Sequence, residues 1–154
     1  MKIILTSDHA GYALKTKLAS WAAENGHEVT VVGAPNVDAY DYPDAADEAC
    51  DAILAGQSQF GVFVCGTGTG ICMRANRHRG IRAAHCVSAE MARLAREHNH
   101  ANVLCLGQSM TDEETSVEIL KSFLSEPEDT AERRIRRVRK LDGNGQLASS
   151  CKKE

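Results

Sequence analysis

The chain has 154 residues, 43% of them hydrophobic and 25% charged, enough for one compact domain with a proper core. A formal charge of -3 and a pI near 6.1 exclude a sequence-wide attraction to nucleic acid or anionic lipid, so a small metabolite suits the chain better than a polyanion. No apolar run approaches the roughly 20 residues that span a bilayer, and residues 1–6 lead into Asp8 and His9 without a signal-peptide core, so a cytoplasmic protein is expected.

In chain order, KIILT at 2–6 is a short β-branched run of the kind that forms a buried parallel strand, with Asp8 and His9 at its carboxyl end. Leu14, Leu18 and Trp21 then make a helical stripe that stops near Asn25 and Gly26. HEVTVV at 27–32 is the second strand. The loop GAPNVDAYDYP follows, and then an alanine-rich helix over 44–54. FGVFVC at 60–65 is the third strand, followed by a glycine loop and a helix over about 70–76. GIRAAHC at 80–86 is the fourth strand, with Ser88 as the N-cap of a helix to about Glu97. NVLCL at 102–106 is the fifth; Thr111 or Asp112 caps the next helix, which carries Val117, Leu120 and Leu124. A last helix beyond Pro127 presents Ile135, Val138 and Leu141 on one side and arginines on the other. Residues 143–154 lack periodicity and read as a tail on a single domain of residues 1–142.

Strands that alternate with helices specify a three-layer, Rossmann-like α/β sandwich with a five-stranded parallel sheet, in the order 2-1-3-4-5. In such sheets ligands bind beyond the carboxyl ends of the strands where the order reverses, here between the first and third strands, so Asp8, His9 and Cys65 are expected in one crevice.

The junction FGVFVCGTGTG places Cys65 where a buried strand meets glycines 66, 68 and 70. A dinucleotide fingerprint and a P-loop each need a glycine where Ile71 stands, and a cysteine phosphatase needs an arginine there. What remains is either a tight strand-to-helix turn or a nest of amides that holds a small anion or a developing oxyanion. A free cysteine is commonly just a small core hydrophobe. Exposed amides and a helix start beside Cys65 would instead favour its thiolate, lowering a reference pKa of about 8.5. Of the six cysteines, Cys50, Cys72, Cys86, Cys105 and Cys151 lack that setting and read as reduced thiols; no spacing suggests zinc, and no metal is expected.

His98 and Asn99 in REHNHANVL could merely stop a helix. They enter the fifth strand at its amino edge, on the order of 17 Å from the crevice of their own chain, so a joint role with Cys65 calls for a second subunit. Arg133 and Arg137 share a helix face at i, i+4, which is a solvated face in the ordinary case and a phosphate clamp in the functional one.

SDHAGYALK at 7–15, DYPDAA at 41–46, CGTGTG at 65–70, GIRAA at 80–84 and AREHNHANVLCLG at 95–107 together resemble the RpiB/LacAB family of sugar-phosphate isomerases over about residues 1–141. The resemblance implies an aldose-ketose interconversion through an enediolate, without a cofactor, in carbohydrate metabolism of the pentose phosphate type. Ribose 5-phosphate would be the substrate, with allose 6-phosphate or galactose 6-phosphate as the six-carbon alternatives. It further implies that Cys65 moves the proton between C1 and C2. Thr67 and the amides of Gly66, Gly68, Thr69 and Gly70 would stabilise the enediolate oxygen. His98 with Asp8 would open the furanose ring, Tyr42 and Asn99 would orient hydroxyls, and His9, Arg133 and Arg137 would hold the phosphate. A second branch of the family has a carboxylate base where Ile71 stands here, so the cysteine branch applies. A homodimer with a shared site, pairing in some cases into a tetramer, is expected.

Two departures stand out. The family's Gly-x-Arg after the fifth strand is Gly107, Gln108, Ser109 here, and Arg74 occupies a position usually small, either replacing part of the missing charge, marking a different sugar phosphate, or lying on the surface. Two readings of other classes are a sugar-phosphate-binding module without turnover, which would have no need of the thiol, and a structural subunit that requires a paralogous partner.

Overall fold

The computed structural model describes residues 1–143; the expected tail beyond Gly143, with Cys151, lies outside the described residues. The elements run β1 (Lys2–Ser7), α1 (Tyr12–Glu24), β2 (Glu28–Val31), α2 (Tyr42–Leu54), β3 (Phe60–Cys65), α3 (Thr69–Ala75), β4 (Ala83–His85), α4 (Ala89–Asn99), β5 (Val103–Gly107), α5 (Glu113–Ser125) and α6 (Glu132–Leu141). All five strands are parallel, and helices cover both faces of the sheet.

On one face Leu14 and Leu18 of α1, Ala92 of α4 and Ile119, Leu120 and Phe123 of α5 close over Ile3, Leu5, Val62, Val64, Leu104 and Leu106. On the other, Ala45, Ala46 and Ala49 of α2 with Ile71 and Ala75 of α3 pack on Ile4, Phe63, Cys65, Val103 and Cys105. Alternate residues of one strand thus feed two cores, which is why the central strands read as continuous apolar runs. Each large side chain removed from water in this way contributes about 1.5–3 kcal/mol.

The strand order is 2-1-3-5-4, which corrects the expected 2-1-3-4-5. Burial explains the exchange. β5 is buried at every residue, whereas Ala83, Ala84 and His85 of β4 are only half-buried and form a three-residue edge. Short, partly polar strands suit an edge. The open side of β4 is closed by a side chain: Asn76 Oδ1 accepts from Ala83 N–H and Asn76 Nδ2 donates to the Ala83 carbonyl, each at 2.9 Å. The order still reverses between β1 and β3, and it is the loop after β5 that now lies beside the end of β3.

Local signals act as expected at the helix ends. Ser88 Oγ accepts from Met91 N–H at 3.2 Å, and of the two candidates before α5 it is Asp112 that caps, its Oδ1 accepting from Thr115 N–H at 2.7 Å. α2 begins at Tyr42 rather than at residue 44, because Pro43 is preset for a first helical turn. Among the described residues no helix is long and apolar enough to cross a membrane.

Candidate active site

β3 ends at Cys65, whose thiol is buried and accepts a hydrogen bond from Gly68 N–H at 3.1 Å. That bond needs the turn to fold back on itself, and Gly68 supplies a φ of +80°. A side chain there would meet the His85 ring at 2.7 Å, so the position admits only glycine. The loop then crosses the end of β5. Gly107 makes room for it, since a Cβ at 107 would lie 2.6 Å from the Thr67 backbone. Two amides hold the crossing in place: Gln108 N–H donates to the Cys65 carbonyl at 2.9 Å and Ser109 N–H to the Gly66 carbonyl at 3.0 Å. Gln108 also reaches back with Oε1 to accept from Leu14 N–H at 2.9 Å, tying α1 to the same point.

Asp8 follows β1, beside this turn. Its backbone N–H donates to the Val64 carbonyl at 3.3 Å, and its Oδ1 accepts from Gly11 N–H at 2.8 Å. Ala10 is the nearest neighbour of Gly66 across the gap, so the β1 and β3 loops face each other as expected of a reversal point. His9 is exposed and turns Nδ1 to the backbone of Tyr40, 3.1 Å from its carbonyl and 3.3 Å from its N–H. If Tyr40 N–H donates to Nδ1, Nε2 carries the proton and becomes a donor pointing away from the loop. The Tyr42 ring lies against Gly70, where a Cβ would come within 3.0 Å of Cζ. Thr67 and Thr69 are exposed at the mouth, with Thr67 Oγ1 accepting from Thr69 N–H at 3.4 Å. Asp8, His9, Tyr42, Cys65, Gly66, Thr67, Gly68, Thr69 and Gly70 therefore gather at one end of the sheet.

His98, Asn99, Arg133 and Arg137 do not join them. Cys65 pairs in register with Gly107, the last residue of β5, while His98 and Asn99 precede its first residue, Val103. Those five residues alone span roughly 13 Å. His98 Nε2 sits 3.3 Å from Glu97 Oε2, a carboxylate that also accepts from Arg93 Nη1 at 2.7 Å. Asn99 and Arg137 line one shallow cavity with Lys140 and Leu141, and Arg133 lies one turn earlier on α6. Asn99 also borders a cavity of about 450 Å³ along the amino ends of β4 and β5, with Asn76, Arg82, Ala84 and Leu141. The residues singled out in the sequence thus form two groups at opposite ends of the sheet.

Ile71, where the other branch of the family has its carboxylate, is fully buried in the core here. Arg74 donates from Nε and Nη2 to Asp47 at 2.7 and 2.6 Å, with His78 Nε2 3.2 Å from the same carboxylate. The Arg74 hydrogen bond draws the Asp47 carboxyl below its ordinary range. The charge of Arg74 is thus spent on fastening α3 to α2. The loop at Gly107, Gln108 and Ser109 braces the glycine turn and adds no cation. Among the described residues no group of three or more His, Cys, Asp or Glu side chains could hold a metal ion.

Sequence reasoning noted Gly107 and Gln108 only as a departure from the family's pattern and missed their bracing role, along with the Tyr40 backbone and His85. A glycine closing an apolar strand, as in NVLCLG, was the available signal for Gly107. The others depend on contacts between distant segments.

The model of the Ribose/Galactose Isomerase family matches residues 3–141. Ribose-5-phosphate isomerase B of Escherichia coli K12 is 36% identical over 123 residues, covering 80% of this chain and 83% of its own. The crystal structure of a ribose 5-phosphate isomerase from Thermotoga maritima superposes with a TM-score of 0.89 at 44% identity, covering 92% of this chain and 97% of its own. A solved structure of Clostridium thermocellum ribose-5-phosphate isomerase B gives a TM-score of 0.90 at 38% identity, covering 94% of this chain and 97% of its own. With the glycine turn, its buried thiol and the order of the sheet all in place, the chain belongs to the ribose/galactose isomerase family.

Proposed function

We propose that the chain interconverts ribose 5-phosphate and ribulose 5-phosphate in the cytoplasm, as a step of the pentose phosphate type, with Cys65 as the base. The observation that carries this reading is a buried thiol, aimed by the Gly68 amide into a crevice that also holds Asp8 and Tyr42. A thiolate there takes the proton from C2 of the open-chain aldose and returns it to C1 of the enediolate, so no external electron acceptor is involved. Within the turn Gly68 N–H is taken by Cys65 and Thr69 N–H by Thr67 Oγ1, so the Thr67 hydroxyl and the Gly66 and Gly70 amides would meet the oxygen on which charge develops.

The ring must open first, and for that a proton leaves O1 while another reaches the ring oxygen. Asp8 is within the crevice; His98 is not. A second copy of this chain would bring His98, with Asn99, to the Cys65 end, and the shared surface of Asn99 and Arg137 means that the arginines travel with them. The phosphate would then lie between His9 of one copy and Arg133 and Arg137 of the other, in a homodimer with a composite site. Tyr42 and Asn99 would orient the hydroxyls. Binding energy taken from the phosphate, remote from C1 and C2, is what positions the reacting carbons.

A six-carbon sugar phosphate is the second reading, favoured by the absence of a cation at Ser109. One assay separates them: coupled isomerisation of ribose 5-phosphate, allose 6-phosphate and galactose 6-phosphate by the wild type and by Cys65→Ala. The expected result is the highest kcat/KM on ribose 5-phosphate and a loss of about 10³-fold on Cys65→Ala. Binding without turnover by the wild type would instead mark a sugar-phosphate-binding module.

A further inference from the structure

The linker between α5 and α6 is not free to choose its position. It is held against the end of α4, and one side chain reaches two of its residues. His100 follows α4 with a φ of +51°, the only positive φ at a non-glycine residue among the described residues. It is buried, with Nε2 3.0 Å from the Asp129 carbonyl and Nδ1 3.4 Å from Glu128 Oε2. Arg96 assists, its Nη1 donating to Glu128 Oε1 at 3.1 Å and to the Ala101 carbonyl at 2.7 Å, and Asp129 N–H donates to the Glu97 carbonyl at 3.0 Å. Asp129 Oδ1 in turn accepts from Ala131 N–H at 2.8 Å, immediately before α6 begins.

A left-handed residue is a common way to end a helix, and glycine or asparagine fills that place with less steric conflict. An imidazole there needs another reason. Its two contacts join the only segments that carry the second group of site residues: His98 and Asn99 just before it, and Arg133 and Arg137 just beyond the linker that it holds.

We infer that His100 is a positioning residue, which sets the separation between the sugar-facing pair His98 and Asn99 and the phosphate-facing pair Arg133 and Arg137. This rests on the reading of the two arginines as the phosphate clamp. That separation is a ruler for the substrate, because the phosphate and the anomeric end must reach their partners together.

His100→Gly and His100→Asn both accept the left-handed backbone, so the helix still ends and the Asp129–Glu97 and Arg96–Glu128 contacts remain, while the two imidazole contacts to the linker go. The expected result on ribose 5-phosphate is a KM about tenfold higher with kcat within about twofold of the wild type, the pattern of lost uniform binding. The melting temperature should stay close to that of the wild type. In an Arg137→Ala background the same change should have little further effect on KM, because a misplaced arginine and an absent one are the same loss. An unchanged KM, or a fall in kcat accompanied by a lower melting temperature, would reduce His100 to a helix stop. Arg137→Ala alone separates the two failures: if it leaves KM unchanged, the clamp reading has failed, and if it raises KM while His100→Gly does not, only the positioning role has.

Discussion

At Cys65 a proposed reactive role and a core position coincide, and the other thiols show why neither depends on the element sulfur alone. Burial pushes Cys50 and Cys86 up to about 12 from an ordinary value of 9.0, and Cys105 well above it. These groups stay protonated in the folded chain while the unfolded chain ionises them. Their contribution to stability is therefore complete below pH 9 and is lost progressively as the pH rises from 9 toward 12. Urea unfolding of the wild type across about pH 8 to 11 should show stability falling with pH, and Cys86→Ala should fall less steeply whatever its starting stability. Equal slopes would mean that the buried thiol does not contribute. Arg74 teaches the complementary point. An arginine in a suggestive place is spoken for once its Nε and Nη2 lie within 2.7 Å of the two oxygens of the Asp47 carboxylate.

At the level of elements, the glycine turn works because β5 lies next to β3. The end of β5 is the floor over which residues 66–68 cross, and Gly107 is the gap in that floor. Gly107→Ala should leave the sheet intact, since position 107 is the last of its strand, yet it should displace the Thr67 backbone and lower kcat by about tenfold or more, a loss typical of catalytic groups moved by about 1 Å. Circular dichroism and kcat measured together check this; a normal kcat would show that the crossing tolerates the methyl group. The exchange of β4 and β5 relative to the expected order has the same origin. The apolar runs at 80–86 and 102–106 look alike in sequence, and only packing reveals that the second is covered on both faces and the first on fewer.

For the whole molecule, the two groups of proposed site residues at opposite ends of one sheet are what the proposal of a second copy closing the gap rests on. Mixing tests this directly. Cys65→Ala and His98→Ala are each expected to be inactive, but a heterodimer of the two contains one site with both wild-type residues. After random exchange, about a quarter of the wild-type activity should return. Failure to recover any activity after confirmed subunit exchange would place His98 and Cys65 in the same chain's site or remove His98 from catalysis.

The elements, the parallel class, the reversal point between β1 and β3 and the thiol at the mouth of the glycine turn followed from the sequence, because period, cap residues and glycine spacing act over a few neighbouring positions. The separation of His98 from Cys65 was also legible, since a strand has a fixed length and a fixed direction. What the tertiary structure alone decided is which apolar strand stands at the centre, how Gln108 and Gly107 brace the turn, that Arg74 belongs to Asp47, and that His100 joins the end of α4 to the linker of α6. Each of these depends on contacts between segments distant in the chain, and no local pattern encodes which distant partner a side chain will meet.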